Sequence, residues 1–207
     1  MRILITGAFG QLGHALQSVL SKKSNYELIC TGKKIKKGQE GIPLDIRNQV
    51  ALKELINTTA PDTIINLASM TNVDACELNP KLAGEINVAG LEHICDSFKG
   101  KIIHLSTDYV FDGTSGPYKE DDPLNPISIY GKTKLASEHI LLEKDNKNLV
   151  IRGNVLYDYS PHTSASFLNW VVSSLKGNQE IKVVEDQFNN PTWTRSMSDI
   201  IELSIEN

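Results

Sequence analysis

The sequence has little cysteine and no long apolar run. Its three cysteines show no CxxC spacing and no pairing with histidine, which argues against a disulfide framework and against a zinc site. No stretch approaches the roughly 20 apolar residues of a membrane span, and the apolar run after Met1 is too short for a signal sequence. We therefore expect a cytoplasmic protein with reduced thiols and no membrane partner.

Excess positive charge is also absent. The chain carries 21 Lys and Arg against 25 Asp and Glu, which gives a formal net charge of −4. Its one basic run, at residues 33–37, is short and isolated, whereas binding to a phosphate backbone needs clustered Lys and Arg. We therefore expect no nucleic-acid partner. The 207 residues fit one large α/β domain, or one domain plus part of a second.

Short apolar runs alternate with longer amphipathic ones along most of the chain. Strands are predicted at residues 3–5, 27–31, 42–45, 63–68, 101–106 and 149–151, and helices at 11–20, 48–58, 81–98 and 130–143. Strands too apolar to face water, alternating with helices, indicate a parallel sheet covered on both faces. The sequence therefore predicts an α/β fold with a Rossmann-type, doubly wound parallel sheet.

The pattern loosens after Gly153. Here we predict a helix at residues 166–175, a strand at 181–184 and a final helix from Ser196. We therefore divide the chain into an NAD(P)-binding Rossmann domain, residues 1–152, and a partial C-terminal substrate-binding region, residues 153–207. Because no convincing terminal element precedes Asn207, we expect this small C-terminal lobe to be incomplete.

A glycine-rich turn follows the first predicted strand, in the order Thr6-Gly7-Ala8-Phe9-Gly10-Gln11-Leu12-Gly13. In a GxxGxxG loop the first glycine permits the tight turn, the second lets the backbone approach a pyrophosphate, and the third lets the helix pack closely. The helix N-terminus adds unpaired N–H groups. The loop predicts a dinucleotide site, and the competing interpretation is a glycine-rich turn without a ligand.

The end of the second strand discriminates between cofactors. An acid there would bind the ribose 2′-hydroxyl of NAD, but this chain has Thr31, Gly32, Lys33 and Lys34. A hydroxyl and ammonium groups suit a 2′-phosphate, so we predict NADPH, with NADH left open. Asp45, just past the third strand, can accept a hydrogen bond from adenine or can cap the next helix.

Tyr130 and Lys134 lie four residues apart on a predicted helix and therefore share a face. Lys134 is expected to lower the pKa of Tyr130, so that the phenol acts as general acid toward a carbonyl oxygen, and to bind nicotinamide ribose. Thr107, at the end of the fifth strand, can polarise the same carbonyl. The competing interpretation is a surface Tyr beside a solvated Lys. His104, within that strand, is expected to be a hydrogen-bonded interior residue.

The order of these motifs resembles the dTDP-4-dehydrorhamnose reductase family of extended short-chain dehydrogenases. The motifs extend over residues 1 to about 200. They are the Thr6–Gly13 loop, Pro61-Asp62 with Asn66, Thr71-Asn72-Val73-Asp74-Ala75-Cys76-Glu77, Asn87, Ser106-Thr107-Asp108-Tyr109-Val110-Phe111-Asp112-Gly113, Tyr130-Gly131-Lys132-Thr133-Lys134, and Asp186-Gln187-Phe188 with Pro191-Thr192.

The resemblance implies reduction, by NADPH, of the 4-keto group of dTDP-6-deoxy-L-lyxo-4-hexulose to give dTDP-L-rhamnose. It implies a catalytic trio of Thr107, Tyr130 and Lys134. The implied cofactor contacts are Gly7, Phe9, Gly10, Gln11, Leu12, Gly13, Lys33, Asp45, Ile46, Leu67, Ala68, Ser69, Asn87, Tyr130 and Lys134. The implied contacts with the nucleotide sugar are Val73, Asp74, Thr107, Asp108, Tyr109 and Asn154.

The chain departs from the family pattern at several positions. Val155 stands where the family has a Trp that lines the sugar pocket, which leaves the sugar open. Ala15 replaces the Glu of a Mg²⁺-linked dimer and Glu185-Asp186 is not a metal pair by itself, so we expect no metal, while a homodimer is left open. A regulatory role like that of the methionine adenosyltransferase beta subunit stays open, as does a nucleotide-sugar epimerase or dehydratase.

Overall fold

Six parallel strands form the central sheet of the computed structural model, which describes residues 1–145, 147–159, 166–187 and 189–206. The strands are β1 (Arg2–Thr6), β2 (Glu27–Gly32), β3 (Ile42–Pro43), β4 (Thr63–Asn66), β5 (Lys101–Thr107) and β6 (Leu149–Gly153). Their spatial order is β3-β2-β1-β4-β5-β6. This order confirms the predicted doubly wound sheet, and it places the switch in winding direction between β1 and β4, where such sheets bind ligands.

Eight α-helices occur in the described part of the chain. They are α1 (Gln11–Leu20), α2 (Gln49–Thr59), α3 (Val73–Leu78), α4 (Pro80–Gly84), α5 (Gly90–Ser97), α6 (Ile129–Lys144), α7 (Phe167–Lys176) and α8 (Thr194–Glu206). A π-helical segment, Glu85–Ala89, joins α4 to α5, so the helix predicted at residues 81–98 is three consecutive segments. Sequence patterning also missed α3. None of these helices is both long and apolar enough to cross a membrane.

The strand predicted at residues 181–184 is wrong. This segment pairs with no strand in the structure, and Val183 and Val184 are 56% and 63% exposed. A short apolar run is a strand only where a neighbour accepts its hydrogen bonds, and sequence alone does not supply that neighbour. The structure instead pairs β7 (Leu156–Tyr157) in parallel with β8 (Thr192–Trp193). Phe188 and Asn207 lie outside the described residues.

The two faces of the sheet bury different sets of side chains. On one face, Ile3 and Ile5 of β1 pack with α1 and with Met197 and Ile201 of α8. On the other face, Leu4 packs with apolar residues of α2 and α5. This alternation follows from the two-residue period of a strand. The boundary between residues 152 and 153 stays a prediction, and α8 packs directly against α1.

We predict that Gly13→Ala lowers the free energy of unfolding by about 1–3 kcal/mol. A Cβ atom at Gly13 would lie 2.3 Å from the backbone oxygen of Ala8, so either the helix or the loop has to move. Gly84→Ala is the matched control, because Gly84 is helical and a Cβ there lies within 4 Å of no atom of the described residues. The control is expected to raise the unfolding free energy by about 0.4–1 kcal/mol. Urea denaturation measures both, and equal stabilities would contradict the close packing of α1.

Candidate active site

A cleft of about 590 Å³ opens at the carboxyl ends of the central strands. The loops after β1, β2, β3, β4 and β5 line it, together with the start of α6 and the segment after β6. The cleft brings together most of the residues predicted from sequence: Gly7, Gly10, Gln11, Leu12, Gly13, Lys33, Asp45, Ile46, Leu67, Ala68, Ser69, Val73, Thr107, Asp108, Tyr109 and Tyr130.

Five predicted site residues do not line the cleft, so their contacts stay predictions. Phe9 lies against the backbone positions of Gly32 and Gly41, and the buried side-chain oxygen of Asn154 has no partner in the part of the chain that the structure describes. The other three are Asp74, which is exposed on α3, and the buried Asn87 and Lys134.

Several cleft residues were missed from the sequence. Leu44 and Ser106 directly precede the predicted Asp45 and Thr107, so position along the loop was an available signal. Ile86 lies in the π-helical segment, and Leu156 in β7. No sequence signal pointed to these two, because both elements become visible only in the folded chain.

The glycine-rich turn has the geometry of a phosphate-binding loop. Gly7 has a φ of 66°, in the left-handed region, and a Cβ there would lie 2.7 Å from the backbone nitrogen of Ala68. The first turn of α1 begins after Gly10 with no side-chain cap, so its N–H groups are available to an anion. The buried Nε2 of Gln11 has no hydrogen-bond partner among the described residues, which adds a donor at this end of the cleft. These residues fit the pyrophosphate of a dinucleotide.

The end of β2 differs in part from the prediction. Thr31 is buried and its hydroxyl donates to the carbonyl of Ile5 at 3.1 Å, so it does not face the cleft. Lys33 does face the cleft, and its ammonium lies 3.3 Å from Asp45 Oδ2. Arg47 donates to the same carboxylate at 2.6 Å, and this hydrogen bond holds the pKa of Asp45 well below its usual range. The carboxylate is therefore an ionised acceptor beside the cleft.

The structure also contradicts the interpretation of Asp45 as the cap of the next helix. The side chain of Asn48, and not that of Asp45, caps α2 by accepting from the backbone N–H of Ala51 at 3.1 Å. Asp45 instead accepts from the backbone N–H of Arg47 at 3.1 Å. The carboxylate thus orders the turn and leaves capping to the neighbouring amide side chain.

Tyr130 lies in the first turn of α6, which begins where Ser128 Oγ accepts from the N–H of Gly131 at 3.0 Å. Its ring packs edge-on against Tyr109, with centroids 5.7 Å apart. Burial raises the pKa of Tyr130 to about 12, and a hydrogen bond with Thr107 opposes that shift. The prediction that Lys134 lowers this pKa is wrong for this arrangement, because desolvation outweighs every favourable contact of the phenolate.

Lys134 lies behind Tyr130 in the protein interior and is only 1% exposed. Its Nζ donates to the carbonyl oxygen of Leu105 at 2.6 Å and lies 2.9 Å from His104 Nε2. Burial lowers the pKa of Lys134 to about 7, while the charge of Glu138 acts in the opposite direction. The competing interpretation of a solvated surface lysine is therefore wrong.

An ion pair that sequence patterning missed supports the same region. Glu138, one turn after Lys134 on α6, is 1% exposed and accepts from Ser106 Oγ and, at 2.7 Å, from Arg152 Nη2. The guanidinium also lies 5.3 Å from the centre of the Phe111 ring and donates to the carbonyl of Glu120 at 3.0 Å. The pair therefore ties α6 to β5, β6 and the loop after β5. The four-residue spacing from Lys134 was the only available sequence signal for Glu138.

Asn87 has a structural position that the sequence did not indicate. It is 2% exposed within the π-helical segment. Its Oδ1 accepts from Ser69 Oγ at 2.9 Å and from the N–H of Met70 at 2.7 Å, and its Nδ2 donates to Thr133 Oγ1 at 3.0 Å. Asn87 thus joins the loop after β4 to the helix that carries Tyr130.

Known proteins resemble the chain over nearly its full length. The dTDP-4-dehydrorhamnose reductase of Aggregatibacter actinomycetemcomitans is 33% identical over 204 residues, which cover 97% of this chain and 66% of that protein. The methionine adenosyltransferase 2 subunit beta of Xenopus tropicalis is 32% identical over 203 residues, or 96% of this chain and 60% of that protein. The chain thus spans less than two thirds of the length of either relative.

A solved structure agrees with this. The crystal structure of dTDP-4-dehydrorhamnose reductase from Bacillus anthracis in complex with NADP has a TM-score of 0.88 and 33% identity, and the match covers 100% of this chain and 70% of that chain. A family model described as RmlD substrate binding domain matches residues 1–207, which include both the phosphate-binding loop and the helix of Tyr130. The chain therefore belongs to the RmlD substrate binding domain family, which includes the dTDP-4-dehydrorhamnose reductases.

Proposed function

We propose that the protein catalyses NADPH-dependent reduction of the 4-keto group of a dTDP-6-deoxyhexulose, giving dTDP-L-rhamnose or a related nucleotide sugar. The observation that carries this proposal is a single cleft that joins Thr107 and Tyr130 to the phosphate-binding loop. The names of the relatives and the NADP complex of the Bacillus anthracis protein support it. When bound, NADPH supplies a hydride to the carbonyl carbon, and NADH is the alternative cofactor.

The cofactor contacts follow from the cleft. Gly7, Gly10 and the N-terminus of α1 bind the pyrophosphate, since they present backbone N–H groups without a competing side-chain cap. Lys33 binds the 2′-phosphate, and Asp45 accepts from the adenine amino group. Leu67, Ala68 and Ser69 continue the same wall, with Ile46 beside the adenine and Asn87 supporting Ser69 from behind.

Tyr130 is the general acid in the proposed reaction. A phenol with a pKa of about 12 keeps its proton at neutral pH and gives it up only to a stronger base. The substrate oxygen becomes such a base as the carbonyl is reduced, so the proton moves in the direction that reduction requires. The raised pKa therefore suits a reductase.

Thr107 fixes the substrate carbonyl. Its hydroxyl donates to Asp108 Oδ1 at 3.2 Å and accepts from the N–H of Tyr109 at 3.3 Å. When the Thr107 hydroxyl donates to the substrate carbonyl instead, this hydrogen bond polarises the carbonyl group and orients the carbonyl oxygen toward Tyr130. Burial raises the pKa of the half-buried Asp108 carboxyl group. Asp108 and Tyr109 contact the sugar, together with Val73, Asp74 and Asn154.

Lys134 acts from behind the cleft. In its charged form Lys134 has three donors; Leu105 accepts one of them, and His104 Nε2, 2.9 Å away, can accept a second. The third donor binds a hydroxyl of the nicotinamide ribose. Lys134 thus links the cofactor to the interior of the sheet without lining the cleft itself.

A second candidate function is a regulatory, cofactor-binding subunit. Two observations favour it: the 32% identity with the methionine adenosyltransferase subunit, and Val155, which lines the cleft where the resemblance to the reductases implies a Trp. Capture of a methionine adenosyltransferase with a change in its activity would support this role.

An epimerase or dehydratase is the third candidate, and because it recycles its cofactor it would show no net consumption of NADPH. A cytoplasmic location and a homodimer stay predictions.

We predict that Tyr130→Phe lowers the rate of NADPH consumption by about 10²–10⁴-fold, because the variant lacks the proton donor. The measurement is NADPH absorbance with dTDP-4-dehydrorhamnose as substrate. NADPH fluorescence is expected to show unchanged cofactor binding. Tyr26→Phe is the matched control, because that phenol contacts Glu206 outside the cleft, and its turnover should equal that of the parent chain. Turnover that survives in Tyr130→Phe would exclude the proposed acid.

We further predict that Lys33→Gln weakens NADPH binding about tenfold and leaves NADH binding unchanged, because the variant loses one charge-assisted hydrogen bond to the 2′-phosphate. Lys34→Gln is the matched control, since Lys34 does not line the cleft and its loss should affect neither cofactor. Fluorescence titration with each cofactor measures the effect. An equal loss of both affinities in Lys33→Gln would show that this lysine does not recognise the phosphate.

A further inference from the structure

A row of polar side chains crosses the sheet interior beneath the cleft. Thr6, Asn66 and His104 occupy directly paired positions on β1, β4 and β5, and each is at most 1% exposed. Thr6 Oγ1 donates to Asn66 Oδ1 at 2.5 Å, and Asn66 Nδ2 lies 3.0 Å from His104 Nδ1. On the other side of its ring, His104 Nε2 lies 2.9 Å from Lys134 Nζ. The row therefore connects Lys134 with the residue that precedes Gly7.

His104 has only one ring proton to share among these partners. Burial and the neighbouring Lys134 hold the pKa of His104 well below its usual value, so the imidazole is neutral, with one donor and one acceptor. Ser137 Oγ lies 3.1 Å from Nε2, but its own proton is donated to the carbonyl of Lys134 at 2.7 Å. Ser137 thus presents an acceptor to Nε2. The position of the ring proton then depends on Lys134.

Two arrangements of the hydrogen bonds along this row follow. A charged Lys134 has only protons to offer, so Nε2 must accept and the ring proton sits on Nδ1. Nδ1 then needs an acceptor, which is the amide oxygen of Asn66, and the amide nitrogen turns toward Thr6 Oγ1. A neutral Lys134 allows the proton on Nε2, where Ser137 accepts it. Nδ1 then accepts from Asn66 Nδ2, and Asn66 Oδ1 accepts from Thr6, as in the structure.

We propose that Thr6, Asn66 and His104 form a positioning relay, which holds the Nζ of Lys134 and transmits its charge state to the phosphate-binding loop. Thr6 Oγ1 also accepts from the N–H of Ala68 at 3.4 Å. Thr6 therefore contacts the loop after β4 and directly precedes the phosphate-binding loop. In the charged state of Lys134 the Thr6 hydroxyl accepts from Asn66, and in the neutral state it donates. The catalytic role of Lys134 rests on the proposed function, but the coupling does not.

Other charged groups near Lys134 do not lie on this row. Glu138 follows Lys134 on α6 and raises the pKa of the lysine, but Ser106 of β5 and Arg152 of β6 bind its carboxylate. The groups that β4 and β5 present to Lys134 through the row, Asn66 and His104, are neutral. Changes to the row are therefore separable from changes to the ion pair.

The test is a pH titration of Lys134 by NMR of the protein labelled with ¹³C at lysine Cε, with Lys134→Met to assign the signal. His104→Leu is expected to move the midpoint down by about one pH unit, because the charged form loses an acceptor. His104→Gln restores an acceptor and is expected to return the midpoint toward that of the parent chain. Ser198→Ala, which removes a buried hydroxyl within α8, is the control for packing and should not move it.

A negative charge introduced at Asn66 distinguishes transmission through His104 from direct electrostatic attraction between that charge and Lys134. A carboxylate can only accept, so Asn66→Asp fixes the ring proton on Nδ1 and should raise the Lys134 midpoint by about one pH unit. In a His104→Leu background the relay is broken, because leucine neither donates nor accepts, and the same change should produce less than about half of that shift. Equal shifts in both backgrounds, or an unmoved midpoint in His104→Leu, would overturn the proposal. The titrations need no substrate, so a chain that consumes no NADPH would contradict the proposed function and leave this result standing.

Discussion

The buried ammonium group of Lys134 determines which hydrogen-bond acceptors and charges the interior around the cleft must provide. An unpaired charge at this depth costs several kcal/mol, so its neighbours must supply acceptors and an opposite charge. The Leu105 carbonyl and His104 supply the acceptors, and Glu138 supplies the charge one turn away. These contacts require α6 to pack on the end of β5. The same packing brings Tyr130 and Thr107 to one cleft.

The remaining polar groups of the interior follow from this arrangement. Glu138 needs a cation of its own, and Arg152 reaches it from β6 while also contacting Phe111 in the loop after β5. On the other side of α6, Asn87 likewise connects two elements, because its side chain bonds both the loop after β4 and Thr133 of α6. The walls of the cleft are thus held by buried polar contacts, which specify geometry more narrowly than apolar packing does.

The local sequence pattern predicted the structure correctly where the contacts that decide it are close in sequence. The doubly wound sheet followed from apolar runs alternating with amphipathic ones, and the phosphate loop followed from glycine spacing. It failed where the outcome depended on distant partners. The segment 181–184 is apolar enough for a strand but pairs with none of the described strands, whereas Leu156 pairs with Thr192. The π-helical segment was likewise not predicted, and the partners of its Asn87 side chain lie in the loop after β4 and in α6.

The sequence by itself determined the fold class, the dinucleotide loop and the identity of Thr107, Tyr130 and Lys134 as the candidate trio. These depend on residue type and on spacing within one strand–helix unit. Only the tertiary structure decided that burial raises the pKa of Tyr130 and that Lys134 faces His104 instead of the phenol. The reason is physical: desolvation and hydrogen-bond partners depend on how β4, β5 and α6 come together, and no local pattern encodes the dielectric environment of a side chain.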